Sequence, residues 1–380
     1  MQRAVARLLV AIALVLPKVT GLAACANATA MASVDVAIVG AGLSGLLVAS
    51  GLAGGKGGEN DWILLEAHAS RLGGRIRNSE ECDIDLGPAW MWPAHQPKMR
   101  ALARELGVDT FAQPDDSSST RLVGGSYSLI RALQKRVPAD NIKMGFQVKK
   151  CELVDGRVLL TSADGVTVSA SRAVFAAPPR ILSTHVEFSP SLSPSRTRAM
   201  AESQTWMAGV TKVALHYPAR FWPLQGGVSN TGLRPGANRP AFQVYDAGDA
   251  RGDVSALTFF TLAHEDWSDA DLARACALQL GELWTRMGLG DKSAQLTSFT
   301  KVFAQRWPKE PWISDDPSPG TVHPHPQPVR ALAEPDWQGK LLFASSEADQ
   351  DSPGVMEGAV GAAHRVLQTL SKGDSTKPRV

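Results

Sequence analysis

Residues 34–39 read Val-Asp-Val-Ala-Ile-Val, an apolar, β-branched run of strand length. It passes directly into Gly40-Ala41-Gly42-Leu43-Ser44-Gly45, and then into an apolar helical stretch, 46–52. A second apolar run, 62–65, closes on Glu66. Further on, 99–106 has the spacing of a short amphipathic helix that stops at Gly107. Alternating apolar and polar positions run from Val148 through 158–160 to Val166 and Val168, which predicts a β-meander. In 210–217, Val-Thr-Lys-Val-Ala-Leu-His-Tyr, strand alternation puts Lys212 on the face opposite Thr211, Val213 and Leu215. Ser268 and Asp271 form a capping box that opens a helix over 269–287. A short strand at 340–343 precedes a final helix with Met356, Val360, Ala363, Val366, Leu367 and Leu370 on one face. The polar stretch 115–120 reads as a loop, and the proline-rich 308–328 as a rigid extended segment.

Composition narrows the classes. The chain has 380 residues, 44% hydrophobic and 20% charged, enough for a sizeable core and for two or three domains or one large α/β unit with insertions. Lys+Arg number 39 against 37 Asp+Glu, a balance that argues against a nucleic-acid binder. The four cysteines (Cys25, Cys82, Cys151, Cys276) are widely spaced with no CxxC pair, which argues against a disulfide framework or a cysteine zinc site. His323 and His325 stand two apart in an extended segment without an acidic partner, and are read as solvent-facing, so no metal is expected.

Two readings of the first thirty residues stand side by side. In one, Arg3 and Arg7 precede the apolar run 8–16, which is too short to span a bilayer and fits a signal-peptide core. Leu22-Ala23-Ala24-Cys25 then resembles a bacterial lipobox, and a lipidated Cys25 would make the protein exported and membrane-anchored. Lys18, and the lack of an arginine pair, stand against it. In the other, translation starts at Met31, directly before the first strand, and the protein is cytoplasmic.

Strand, glycine turn and helix together make GxGxxG a dinucleotide fingerprint. Gly40 permits the tight turn, Gly42 lets backbone approach a pyrophosphate, and Gly45 lets helix and strand pack closely. The helix start offers free N–H groups and the positive end of a dipole. Glu66, at the end of the second strand, is placed to accept ribose hydroxyls and disfavours a 2′-phosphate. Arg71-Leu72-Gly73-Gly74-Arg75 adds two adjacent glycines flanked by phosphate-pairing arginines.

Glu66-Ala67 followed by Arg71-x-Gly73-Gly74-Arg75 resembles the FAD-binding signature of the flavin-containing amine oxidases, with one extra residue before the double glycine. The resemblance continues along the chain. Asp85-Leu86-Gly87-Pro88-Ala89-Trp90 is similar to the family's flavin-edge segment, where Gly-Gly is commoner than Gly-Pro. Val148 matches a position whose backbone contacts adenine. Lys212, upstream of Phe221-Trp222, matches the lysine that holds a water against the reactive flavin nitrogen; the competing reading is a strand-edge lysine that guards against aggregation. Glu347, in Ala344-Ser345-Ser346-Glu347, matches an FAD-binding glutamate, and Val355-Met356 opens the helix whose start faces the flavin.

The resemblance implies an α/β fold: a Rossmann-like FAD/NAD(P)-binding domain with an inserted mixed α+β substrate domain. The expected division is a leader or extension over 1–32, an FAD-binding domain over 33–82, 121–182 and 326–372, and a substrate domain over 83–120 and 183–325. It implies FAD, non-covalent because no cysteine occupies the attachment loop. The implied reaction is oxidation of a small amine by hydride transfer to FAD, with reoxidation by oxygen to hydrogen peroxide. An FAD-dependent desaturase, a renalase-like oxidoreductase, or a flavin protein without amine turnover are the alternatives. Two features depart from the pattern. Val355 stands where the family often has an aromatic wall, leaving Trp90, Trp92, Trp206 or Trp312 to supply any cage, and the segment before Gly124-Gly125 is shorter than in larger members.

Overall fold

The computed structural model describes residues 29–56, 60–227, 229–262, 266–315 and 322–374. Cys25 and the apolar run before it lie outside the described residues.

The chain begins with β1 (Thr29–Val39), α1 (Leu43–Ala53) and β2 (Trp62–Glu66), then α2 (Pro97–Glu105), the hairpin β3 (Thr110–Gln113) and β4 (Asp116–Leu122), and α3 (Tyr127–Gln134). Next come β5 (Ile142–Met144), the meander β6 (Val148–Val154), β7 (Arg157–Ser162) and β8 (Val166–Phe175), then α4 (Pro179–His185), β9 (Glu187–Ser189) and α5 (Pro194–Glu202). A second set follows: β10 (Val210–Tyr217), β11 (Asn230–Gly232), β12 (Ala241–Asp246), β13 (Ser255–Leu262), α6 (Asp269–Arg286), the single turn α7 (Gly290–Ser293) and β14 (Lys301–Arg306). The chain returns through the turn α8 (Arg330–Ala333), β15 (Leu341–Phe343) and α9 (Met356–Asp374).

The first sheet has the order β5-β2-β1-β8-β7-β6-β9, with β15 also paired to β8. Its centre is parallel, β2–β1–β8–β15, as expected of strands covered on both faces. Val36 and Ile38 point into a core closed by α1, α2, α3 and α9; Ala37 and Val39 point into the opposite core with Phe175, Leu341 and Phe343. The second sheet, β11-β12-β13-β10-β14, is antiparallel. One face packs on α6 through Val213, Leu215, Leu272, Cys276, Leu280 and Trp284. Ser268 caps α6 as its pattern predicts, its hydroxyl accepting the Asp271 N–H at 3.1 Å.

Several boundaries differ from those expected. Residues 29–32 belong to β1: they pair with β8, and Met31 packs against the core. β9 pairs with β6, and Leu192 and Met200 join the first sheet's core, so this packing continues past residue 182. α2 packs in the core on the sheet's other face, with Met99, Leu102 and Ala103 buried. Glu357 of α9 holds the start of α2, accepting the N–H groups of Lys98 and Met99 at 3.0 and 2.7 Å. In the polar stretch 115–120, residues 116–120 are strand rather than loop. Asp115 makes the turn at φ 62, and Ser119 and Arg121 alternate inward, a pattern masked by their polarity. The segment from 308 is not wholly extended, because residues Trp307–Lys309 form a 3-10 turn.

A Cβ on Gly45 would lie 1.9 Å from the Gly40 carbonyl oxygen, so α1 reaches the β1 turn only because residue 45 has no side chain. Gly45→Ala is expected to cost about 1–3 kcal/mol through forced separation of helix and turn. A urea midpoint equal to that of the native protein would show that the turn can yield.

Candidate active site

One cavity joins the two sheets. At one end its lining is almost all backbone. Gly40, Gly42, Leu43 and Ser44 face it from the start of α1, and Gly73, Gly74 and Arg75 from the loop after β2. The two loops close on each other: the Gly73 N–H donates to the Ala41 carbonyl at 2.9 Å. A Cβ on Gly42 would meet nothing nearer than the Gly73 oxygen at 4.0 Å, which leaves its cavity side open. α1 has no side-chain cap and no acid in its first turn. An uncapped helix start opening into a cavity is a site for an anion.

Glu66 and Val148 line the same end. Both carboxylate oxygens of Glu66 are engaged by backbone, accepting the N–H of Ala41 at 2.7 Å and of His68 at 2.8 Å. Arg71 donates to the Gly74 carbonyl at 2.8 Å and pairs with Glu310 at 3.1 Å. Glu310 also takes Arg77 at 2.9 Å and the Gln305 amide at 2.9 Å, tying the loop after β2 to the end of β14. Arg75 pairs with the buried Glu347 at 2.6 Å. Burial pushes the Glu347 carboxyl up, but the Arg75 guanidinium reverses this and leaves it below the usual carboxylate range.

The other end is walled by side chains. Trp90, Trp92, Trp206, Met207, Phe260 and Trp312 line it, with Ile181, Leu182 and Ile313. Trp90 stacks on Phe260 with centroids 5.7 Å apart, and its indole N–H donates to Gln113 at 2.9 Å. Gly87, Pro88, Ala89, Val355 and Met356 also line the cavity.

Lys212 lines the cavity too. β10 is an interior strand of its sheet, with Lys212 opposite Phe260 of β13 and Gln305 of β14, so the aggregation-guard reading is overturned. The side chain is buried on the face expected from alternation, beside Val210 and Ala214. Its Nζ donates to the Gly87 carbonyl at 2.6 Å and lies 4.4 Å from the Phe260 ring centroid, 5.2 Å from Tyr245 and 5.9 Å from Trp90. Burial lowers its pKa from 10.5 to about 7, with the Asp85 carboxylate opposing the shift.

Most of the residues picked out in the sequence meet in this one cavity. Ala41, Gly45 and Glu347 do not line it: Ala41 holds Glu66, Gly45 packs α1 on the β1 turn, and Glu347 stands behind Arg75. His323 is buried, a correction to its solvent-facing assignment, whereas His325 is exposed and lies 4.9 Å from the Trp206 ring. Phe260, Tyr245 and Arg121 gave no sequence signal as site residues, and Asp85 was marked only as the start of the segment 85–90. Burial of nearly the whole of β13 conceals Phe260, and the partners of Asp85 and Arg121 are distant in sequence.

A family model for flavin containing amine oxidoreductases matches residues 115–369, more than half of the chain. The chain belongs to this family. A model for an NAD(P)-binding Rossmann-like domain matches residues 38–106. Among curated relatives, the chain is 27% identical over 246 residues to lysine-specific histone demethylase 1B of Mus musculus, covering 63% of this chain and 28% of that protein. It is 23% identical over 267 residues to a flavin-containing amine oxidase of Danio rerio, covering 68% of this chain and 48% of that protein. The chain thus spans half or less of these relatives. Cyclohexylamine oxidase from Brevibacterium oxydans IH-35A shares the fold with a TM-score of 0.71 at 17% identity, covering 90% of this chain and 99% of that one. A putrescine oxidase bound to putrescine does so with a TM-score of 0.68 at 17% identity, covering 89% and 99%. The fold is the expected α/β arrangement of a Rossmann-like dinucleotide-binding unit and a second unit, and FAD is the family's cofactor. The open glycine cradle and the uncapped start of α1 fit its pyrophosphate.

The buried amine has a stability signature. Below about pH 7 Lys212 is protonated in both folded and unfolded chains, and burying the charge carries its full cost. Between about 7 and 10.5 only the unfolded chain holds the proton, so the cost shrinks as pH rises and is gone above 10.5. Lys212→Met is therefore expected to stabilise the protein at pH 6 by on the order of 3–5 kcal/mol, with the gain fading towards pH 10.5. Urea unfolding at several pH values measures it; a gain independent of pH would mean that the amine is not the titrating group.

Proposed function

We propose that this chain oxidises a small amine, with Lys212 as the catalytic residue beside the reactive edge of FAD. The observation that carries the reading is the buried Lys212 amine, set on an interior strand where the glycine cradle meets the aromatic walls. Gly40, Gly42, Ser44, Gly74 and Arg75 would hold the pyrophosphate, Glu66 and Val148 the adenosine end, and Gly87, Pro88, Ala89, Trp90, Val355 and Met356 the ring. When bound, FAD accepts a hydride from the carbon next to a neutral amine nitrogen and is reoxidised by oxygen, giving an imine and hydrogen peroxide. Among the described residues no cysteine lines the cavity, which supports a cofactor held without a covalent bond.

The residues divide the remaining work. The apolar walls exclude water and disfavour the ammonium form of an entering amine, which favours the reactive neutral form. With a pKa of about 7, the Nζ of Lys212 is partly deprotonated at neutral pH and suited to hold a water. Among the described residues the carboxylates that line the cavity are Glu66 and Glu310, and both are already engaged. That supports a monoamine with an apolar body over a diamine, whose second ammonium would find no free partner.

The first test mixes anaerobic holoprotein with benzylamine, cyclohexylamine and putrescine. Flavin bleaching should be about tenfold or more faster with the two apolar monoamines. Failure of every amine to bleach the flavin would sink the amine reading, and preference for putrescine would sink the monoamine refinement alone.

A second test uses Lys212→Met in stopped flow. Reoxidation by oxygen should slow about tenfold or more, because a positive charge near the reduced cofactor favours electron transfer to oxygen. Substrate-driven reduction should change less. An oxidative half-reaction within twofold of native would remove Lys212 from the catalytic role.

A further inference from the structure

Behind Lys212 lies a second buried ionic group that the reading above does not use. Asp85 is fully buried. One of its carboxylate oxygens accepts the Ser126 N–H at 2.7 Å and hydroxyl at 2.8 Å. The other has no hydrogen-bond partner and faces the Arg121 guanidinium at 3.7 Å. Arg121 is itself buried, donating to the Gly248 carbonyl at 2.6 Å and the Asp246 carbonyl at 3.3 Å, and stacking over the Tyr245 ring at 5.8 Å. The Tyr245 hydroxyl joins the groups: it donates to the Asp85 carbonyl at 3.2 Å and accepts from Lys212 at 3.5 Å.

We propose that Asp85 and Arg121 are positioning residues that set the proton affinity of Lys212, and with it the pH range in which the enzyme reacts with oxygen. This rests on the reading of Lys212 as the residue beside the flavin. The two charges act on the amine in opposite directions. Ionised Asp85 favours the ammonium and Arg121 opposes it, with Asp85 the stronger influence; burial raises the Asp85 carboxyl itself, and Arg121 and the Ser126 hydrogen bonds oppose that rise. The pair is loosely made, with an unsatisfied oxygen on one side and an unsatisfied Arg121 Nε on the other. Its incomplete compensation leaves a field that the adjacent amine feels at low dielectric. The aromatic rings around Lys212 add no titrating group at neutral pH, because burial raises the Tyr245 phenol.

The test reads Lys212 directly. Holoprotein without substrate is labelled with a trace of acetic anhydride across pH 5 to 10, and peptide mass spectrometry follows acetylation of Lys212, which only the neutral amine undergoes. The labelling midpoint should fall by about one pH unit or more in Asp85→Asn and rise by a smaller amount in Arg121→Gln. Each single variant leaves a lone buried charge and carries a folding risk. The double variant Asp85→Asn/Arg121→Gln leaves none, and its midpoint should lie below native but above that of Asp85→Asn. The pH profile of flavin reoxidation should move with the labelling midpoint. Midpoints that do not move, that move the same way in both single variants, or a double variant at or above native would overturn the proposal. Labelling needs no turnover, so shifted midpoints in a protein that bleaches with no amine would leave the electrostatic assignment standing and remove the amine reading alone.

Discussion

A primary amine held out of water is the constraint around which the second sheet is arranged. On an edge strand Lys212 would turn to solvent; on β10, flanked by β13 and β14, it has no such escape. Its cost is offset only in part by the Gly87 carbonyl, by the negative faces of Phe260 and Tyr245, and by the Asp85 carboxylate. These partners come from different parts of the chain, so the position of Lys212 reports that the loop at Gly87 and the second sheet have closed on each other. Trp307 adds to that closure by donating its indole N–H to the Leu86 carbonyl at 3.0 Å.

The hairpin β3–β4 shows how far this arrangement reaches. It replaces the longer insertion expected of larger members with two short strands, yet it supplies Arg121 to the buried pair and Gln113 to Trp90. Gln113 also donates to the Asp246 carbonyl at 3.1 Å, and Asp246 is held by Arg220 and Trp222. A run of polar residues that reads as solvent-exposed therefore spans the space between the cavity wall and the second sheet.

The readable parts of the sequence were those whose physics is local. The fingerprint of 40–45, the meander from Val148, the capping box at Ser268 and the alternation around Lys212 each depend on neighbours within a few residues, and each was found in its expected form. What could not be read depends on distant partners. Arg121 looks like a surface arginine until Asp85 is placed 3.7 Å from it, and His323 looks exposed until the chain folds over it. Arg71 reads as a phosphate ligand, but Glu310, far along the chain, already pairs with it.

The two ends of the cavity are built by opposite means. The cradle has almost no side chains: Gly40, Gly42, Gly73 and Gly74 present backbone, and a Cβ at Gly74 would come within 3.3 Å of the Gly42 Cα. The other end is a wall of large rings whose positions are fixed by packing and by single hydrogen bonds such as that from Trp90 to Gln113. A backbone cradle tolerates little change, because a side chain at Gly40, Gly73 or Gly74 would press on another backbone segment and one at Gly42 would enter the open cradle. A side-chain wall can change shape one residue at a time while the sheet behind it stays as it is. Val355 is such a position, a small residue in the lining where the family often carries a ring, while Trp206 and Trp312 line the cavity from other segments. Variation in substrate is therefore expected in the wall and constancy of cofactor in the cradle, with Lys212 lining the same cavity and held by the Gly87 carbonyl and the rings of the wall.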